Sequence, residues 1–495
     1  MTEDEIGLRY PGFILFLSRL TSIGTGLIFT LLITRSIPPE DYGIYGNIED
    51  ILSYFTFISA IIPFWVTRFE ARRWSGSFKT GFIINFLVGL VSAIIYLSSI
   101  MSIMSTLQIN LNYMPTYLIA AALILENYVL SVLEAALYPK HPEKIGFGLL
   151  IFEVGKVLIG ILLLHVLRMG LTGALVSVIF AHFCQALFYT KLLLREFREK
   201  IVWAYVREWL KVSILNVYGV LGGRLLVLAN IFLFIYRGEI ARAYYGASSA
   251  IASIVAFSSS LAFSLYSRLL VKARSDDITL SMKMVLMFAI PMFLGAVILS
   301  KDLLSILNPA YSVASPILII LALSSLFLSI SSIFESIIIG TEDFDAAARL
   351  SFRRALKSRI FLLLTLPYIQ AAIVLPPIYL VLSSFPLDSI LLTLYFALIG
   401  CIGQTIMTLT KFFIAKKSIR LIIPWKSLGK YVCSSLAMSM CLLALPTPPR
   451  LIIILSKILI GAIIYFVILF AIDKEVRKMI RLAMRETTKY LRKKK

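Results

Sequence analysis

Fourteen apolar runs follow one another between residues 12 and 472, and the basic residues between them fall on alternate sides. Each run is about 20 residues long, the length that crosses a bilayer as a helix. They lie at approximately 12–35, 44–67, 81–104, 115–138, 146–167, 171–193, 213–236, 243–267, 284–307, 312–339, 360–382, 386–414, 428–446 and 451–472. With the N-terminus placed inside, inward-facing segments hold 38 of the 48 lysines and arginines, whereas outer loops hold five: Arg168, Arg237, Arg242, Lys301 and Arg450. An excess of Lys and Arg marks the cytoplasmic side, and a miscounted span would reverse every loop after it. The chain therefore reads as an all-α, multi-pass protein of the cell membrane with both termini cytoplasmic. Composition agrees, with 59% hydrophobic and 15% charged residues, more apolar side chain than a soluble protein of 495 residues could cover. Sidedness also accounts for the net charge of +21, so nucleic acid is not an expected partner. The opening MTEDEIG is acidic and no small-residue cleavage site follows the first run, which reads as a retained span.

The runs form two sets of six. LLITRSIPPEDYGIYG (31–46) lines up with FIYRGEIARAYYG (234–246), pairing Arg35 with Arg237; Arg68 matches Arg268; SVLEAAL (131–137) matches SIFESII (332–338), pairing Glu134 with Glu335. The offsets are 202, 200 and 201 residues, which suggests a duplication. Even-span copies keep the same orientation and are related by an axis along the membrane normal, an arrangement that builds transporters with a substrate site between the halves. The expected organisation is an N-lobe (1–194, spans 1–6), an amphipathic linker on the cytoplasmic side (195–211), a C-lobe (212–415, spans 7–12), spans 13–14 (416–473) and a basic amphipathic tail (474–495). The linker and the tail carry apolar residues at helical spacing among Lys and Arg, as in helices that lie on an anionic leaflet. Anionic lipids are thus an expected partner.

Ionisable residues inside spans are costly, about 2.5–3.5 kcal/mol each on insertion scales, and mark ligand or ion pathways. Arg224 lies about eleven residues from either end of its run, roughly 16 Å from each surface, too deep for a side chain about 6–7 Å long to snorkel out. Arg19 occupies the equivalent first run, in SRLTSIGTGL (18–27). Lys156 is mid-run with Glu153 three residues earlier, on one helix face, so a local ion pair stands beside a binding role. These three, with Arg35 at a span rim, are the candidate substrate-binding residues. Arg19, Arg224 and Lys156 together would cost on the order of 8–10 kcal/mol in lipid, so a hydrated, cationic chamber that receives an anion is expected. Glu126, Glu153, Glu134 and Glu335 are candidate gate residues or ion-pair partners. Lys457 is placed to snorkel. Pro367, Pro376 and Pro377 should kink or interrupt the eleventh span.

No GxxxxGK[ST] phosphate loop appears. Outer loops are short, a second aspartate-rich motif is missing, and His141, His165 and His182 lack ligand spacing. Cys184, Cys401, Cys433 and Cys441 form no CxxC pair and read as small buried hydrophobes. Neither catalysis, a cofactor nor a metal is expected, and the chain is expected to be a monomer.

SRL, LITRSIPPEDYGIYG, ISAIIPFWVTRFEAR and SIFESIIIGTEDFDAA, set in fourteen spans with a twofold repeat, resemble the Wzx-type polysaccharide flippases. That family belongs to the multidrug/oligosaccharidyl-lipid/polysaccharide (MOP) exporter superfamily. R-x5-DYG, beginning at Arg35, is the sharpest part. The resemblance implies a V-shaped, MATE-like pair of six-helix lobes. It also implies turnover of a polyprenyl-phosphate- or pyrophosphate-linked oligosaccharide from the inner to the outer leaflet by alternating access. The cationic cavity would take the anionic head group, and spans 13–14 could form a groove for the lipid tail. The main alternative is a cation-coupled multidrug exporter of the same superfamily, whose embedded carboxylates bind H⁺ or Na⁺; the first and seventh runs here hold arginine and no acid. A non-transporting scaffold or scramblase is the third reading.

Overall fold

The computed structural model describes residues 21–22, 24–262, 275–341, 358–385, 388–419, 421–445 and 451–477, and these are helical throughout, without strands. The helices are α1 (24–36), α2 (Pro39–Thr56), α3 (Ile61–Ala71), α4 (Ser77–Thr106), α5 (Met114–Leu137), α6 (Pro142–Gly160), α7 (Gly170–Leu192), α8 (Trp203–Val212) and α9 (Ile214–Ala256). They continue with α10 (Ser275–Ile298), α11 (Ser300–Leu307), α12 (Ser315–Gly340), α13 (Arg359–Ser384), α14 (Ser389–Ser418), α15 (Trp425–Ala444) and α16 (Leu451–Ile472). Among the described residues, 12 stretches are long and apolar enough to cross a membrane. One of them, Asn216–Ser260, holds the expected seventh and eighth spans in a single stretch. The first expected span is described only from residue 21 onward, so Arg19 lies outside the described residues, as does nearly all of the basic tail.

The duplication is visible in the backbone. Pro38, with φ −67° and ψ 160°, turns α1 into α2, and Gly238, with φ 78° and ψ −171°, breaks α9 at the equivalent place. Only glycine takes that second conformation without strain. A 3₁₀ segment then interrupts the span in both copies, at Phe57–Ala60 and Phe257–Ala262. Corner and interruption both recur 200 residues apart. Two expectations are corrected here. Arg237 and Arg242 do not sit in a loop, because the corner at Gly238 needs one residue where a loop of several was expected; Arg242 is inside the helix and buried. α13 runs unbroken through Pro367, Pro376 and Pro377.

By packing, the chain divides into two compact units, one comprising Met1–Gly246 with Leu364–Phe396 and the other Ala247–Leu363 with Ala397–Lys495. In the first unit, buried tyrosines fill the core and find acceptors inside it: Tyr96 donates to Tyr117 O (2.9 Å), Tyr117 to Asn47 Oδ1 (2.7 Å) and Tyr128 to Phe55 O (3.1 Å). A buried hydroxyl needs such a partner. The linker spends much of its apolar face within the protein: Phe197 packs edge-on against Phe78 and Phe82, and Trp209, fully buried, against Phe69. Lys140 bridges Glu70 (2.7 Å) and Glu196 (3.0 Å) at this end. Burial alone would lower the Lys140 pKa, but the hydrogen bonds and charges of both carboxylates outweigh it and raise it. In the second unit Ser258 and Ser329 meet at 3.1 Å, a close approach that small side chains allow. α15 and α16 pack on α10, where Tyr465 donates to Met287 O at 2.7 Å.

Candidate functional site

The first unit carries a polar core on α2. Pro39 opens this helix, with Glu40 and Asp41 in its first turn, where negative charge suits the helix dipole. Gly43 then lies against the backbone of Glu239, so close that a Cβ would fall 2.0 Å from the Glu239 carbonyl oxygen. One turn on, Gly46 makes room for the Arg242 guanidinium, whose Cζ a Cβ would meet at 2.8 Å. The DYG motif is therefore a seat for the second repeat's corner. In that seat Arg242 donates from Nε to Asp50 Oδ2 (2.7 Å) and from Nη2 to Gly46 O (3.2 Å), while Asn230 donates to Asp50 Oδ1 at 3.0 Å. Asp50 and Arg242 are both buried. Arg237, next to the corner, donates to the C-terminal carbonyls of α13, Leu382 O (2.6 Å) and Phe385 O (2.8 Å).

A second cluster joins α1, α6 and α7. Lys156 and Glu153 are buried and paired at 2.6 Å. Glu153 also accepts from Ser22 Oγ and Thr25 Oγ1, both at 2.5 Å, so the small polar residues of SRLTSIGTGL serve this carboxylate. The Lys156 ammonium lies 4.7 Å from the centroid of the Phe152 ring, and the His182 ring stacks on the same phenyl at 4.3 Å. His182 Nδ1 in turn faces Glu126 Oε2 at 3.5 Å. His182, read as isolated in the sequence, thus has a carboxylate neighbour across the helix packing.

Arg224 is half-buried on α9. Its backbone carbonyl accepts from Tyr54 at 2.8 Å, but among the described residues its guanidinium has neither a carboxylate nor a hydrogen-bond partner. Arg35 is exposed on α1. Glu134 accepts from Gln185 at 3.2 Å, and Glu335 pairs with Lys411 at 2.7 Å. Lys457 does not reach the surface as expected; it is buried and donates to Leu445 O at 2.5 Å, just past the end of α15, where a cation suits exposed carbonyls. The structure thus brings Lys156 together with Glu153, and leaves Arg224 and Arg35 apart from that pair.

The sequence reading missed Glu49 and Asp50, two adjacent acids inside an apolar run, a signal as plain as Arg224. Glu49 is exposed, hydrogen-bonded to Tyr45, and within electrostatic reach of Arg242, Asp50 and Lys156. Among the described residues no group of three or more His, Cys, Asp or Glu is placed to hold a metal ion.

No family model and no curated protein matches the sequence. Solved structures do match. The lipid II flippase MurJ, in an inward closed conformation, aligns with a TM-score of 0.68 at 15% identity, over 94% of this chain and 99% of that one. The fold is that of the MOP superfamily. A multidrug resistance MATE family transporter of that superfamily, facing inward, aligns with a TM-score of 0.59 at 12% identity over 80% of this chain and 94% of its own. The MATE transporter VcmN of Vibrio cholerae gives 0.56 at 12% identity, over 83% and 96%. The MOP fold accounts for the repeated corners and 3₁₀ interruptions as parts of one duplicated six-helix plan, to which α15 and α16 are added.

Proposed function

We propose that the chain is a flippase of the cell membrane that carries a polyprenyl-phosphate- or pyrophosphate-linked oligosaccharide from the inner to the outer leaflet by alternating access. Its termini are cytoplasmic in this reading, and Arg224, with Arg19, meets the anionic head group. The observation that carries it is the guanidinium of Arg224, deep in a span and without a carboxylate or hydrogen-bond partner among the described residues. A cation left unneutralised in hydrocarbon is costly, and a phosphate that visits it offers the planar, two-oxygen partner that arginine prefers. Similarity of fold to a lipid II flippase supports the lipid-linked character of the substrate. A cation exporter is the second reading, favoured by the exposed carboxylate of Glu49.

Complementation in a strain lacking its own flippase separates these. Arg224→Ala abolishes glycan export with normal membrane insertion, and Arg224→Lys, which keeps charge but not the fork, restores it partly. Full activity of Arg224→Ala removes this residue from the site. Loss of drug resistance, with glycan export never conferred, supports the exporter.

A further inference from the structure

The face of α2 that is not packed is a continuous polar track. Tyr42, Tyr45, Glu49, Ser53 and Thr56 are the residues concerned; Glu49 is exposed and the other four are half-buried. At about 100° per residue they fall within an arc of about 80°, and from Tyr42 to Thr56 they extend about 21 Å along the axis. The rest of the helix is occupied. Gly43, Gly46 and Asp50 face Glu239 and Arg242, Asn47 meets Tyr117, and Ile44, Ile48 and Ile51 lie in the apolar core.

A helix face with no aliphatic side chain is not a lipid-facing one. α4 supplies the contrast, exposing Phe86, Leu87, Leu90, Val91, Ile94 and Ile95. The open face of α2 must therefore meet water or a polar ligand. Its chemistry narrows the choice. The Tyr42 and Tyr45 rings are parallel, interplanar angle 6°, with centroids 6.2 Å apart. The Tyr45 hydroxyl and the Glu49 carboxylate are hydrogen-bonded. A carboxylate in the middle of the track repels phosphate, so this is not a second head-group site. Ring faces for C–H contacts, with hydroxyls and a carboxylate that accept and donate hydrogen bonds, suit a neutral, hydroxyl-rich chain.

We infer that the Tyr42–Thr56 face of α2 binds the sugar rings of the transported glycan, apart from the phosphate-binding arginine. This rests on the flippase reading and adds a glycan subsite to it. The track is long enough for several rings in a row, so its contribution grows with glycan length.

The test uses the full chain in proteoliposomes and two substrates: a polyprenyl pyrophosphate bearing the complete repeat unit, and the same carrier bearing only its first sugar. The double variant Tyr45→Ala/Glu49→Ala is expected to lower transport of the complete substrate about tenfold, the effect of losing about 1.4 kcal/mol of binding, and to change transport of the single-sugar carrier less than about twofold. Equal losses on both, no loss on either, or a change confined to dependence on pH or Na⁺ would overturn the subsite. A second arm decides the matter should the wild type move neither carrier, which would refute the flippase reading itself. Ser53→Cys, a near-isosteric change, is labelled with a membrane-impermeant thiol reagent in a background with the four native cysteines replaced by serine. Protection by the free oligosaccharide and not by pyrophosphate supports the subsite; no protection by the oligosaccharide, or protection by pyrophosphate, refutes it.

Discussion

Arg242→Met isolates the buried ion pair on α2. In the native chain Asp50 accepts from Arg242 at 2.7 Å and from Asn230 at 3.0 Å. Removing the guanidinium leaves a carboxylate with one neutral donor, and breaking a buried pair in this way costs about 3–5 kcal/mol. Asp50 has one escape, which is to take up a proton. For an aspartate of ordinary acidity that costs about 4 kcal/mol at pH 7 and about 1.5 kcal/mol at pH 5. The cost of Arg242→Met is therefore capped near 4 kcal/mol at neutral pH and shrinks as pH falls, because below pH 7 the escape becomes cheaper. Thermal unfolding in detergent, followed at pH 7 and pH 5, reads this directly. The variant should be much less stable than wild type at pH 7 and recover most of the difference at pH 5. Asp50→Asn combined with Arg242→Met should be close to wild type at both values, since no unpaired charge remains. A destabilisation that is the same at both pH values, or a double variant no better than Arg242→Met, would show that the loss comes from packing around Gly46 and not from the stranded charge.

Gly43→Ala drives a methyl into the Glu239 carbonyl and should cost about 1–3 kcal/mol, whereas Gly295→Ala, with nothing within 4 Å of the new Cβ, should gain about 0.5–1 kcal/mol in a helix interior; melting temperatures of the two variants check this. Glu153→Gln and Lys156→Met should each impair export more than the pair of changes together, because each alone strands a buried charge; a double variant as poor as the worse single one would instead give Lys156 a part in substrate binding. Lys457→Met leaves the Leu445 carbonyl without its donor and should lower stability by about 1–2 kcal/mol, measured by thermal unfolding, with export per folded molecule unchanged.

The helices were legible because hydrocarbon imposes length and polarity on a span directly, and the duplication because it left 200-residue offsets in charged landmarks. Where the reading failed, the reason is specific. Arg242 passed for a loop residue because a corner made by one glycine, Gly238, is too short to register as a turn between two apolar runs. Lys457 was assigned to the surface because distance to the membrane boundary can be counted along a helix, while the carbonyls past the end of α15 that hold it come from another segment. His182 and Glu126 lie 56 residues apart in sequence, on α7 and α5, and no spacing rule pairs them. In each case the side chain was visible and its partner was not.

That distinction separates structure from function among the embedded charges. A buried cation with a carboxylate or a helix end against it is neutralised at home, and its removal is a stability event; Arg242, Lys156 and Lys457 are of this kind. Arg224 and Glu49 differ, for among the described residues neither has an oppositely charged partner within ion-pair distance. An embedded charge whose counter-charge is absent from its own chain needs water or a passenger to stabilise it, and these two, of opposite sign, cannot be served by the same group. A substrate with a phosphate at one end and hydroxyls along its length serves both. A drug cation answers Glu49 and leaves Arg224 unmatched, which is why the lipid-linked glycan accounts for more of the polar interior than the exporter's cargo does.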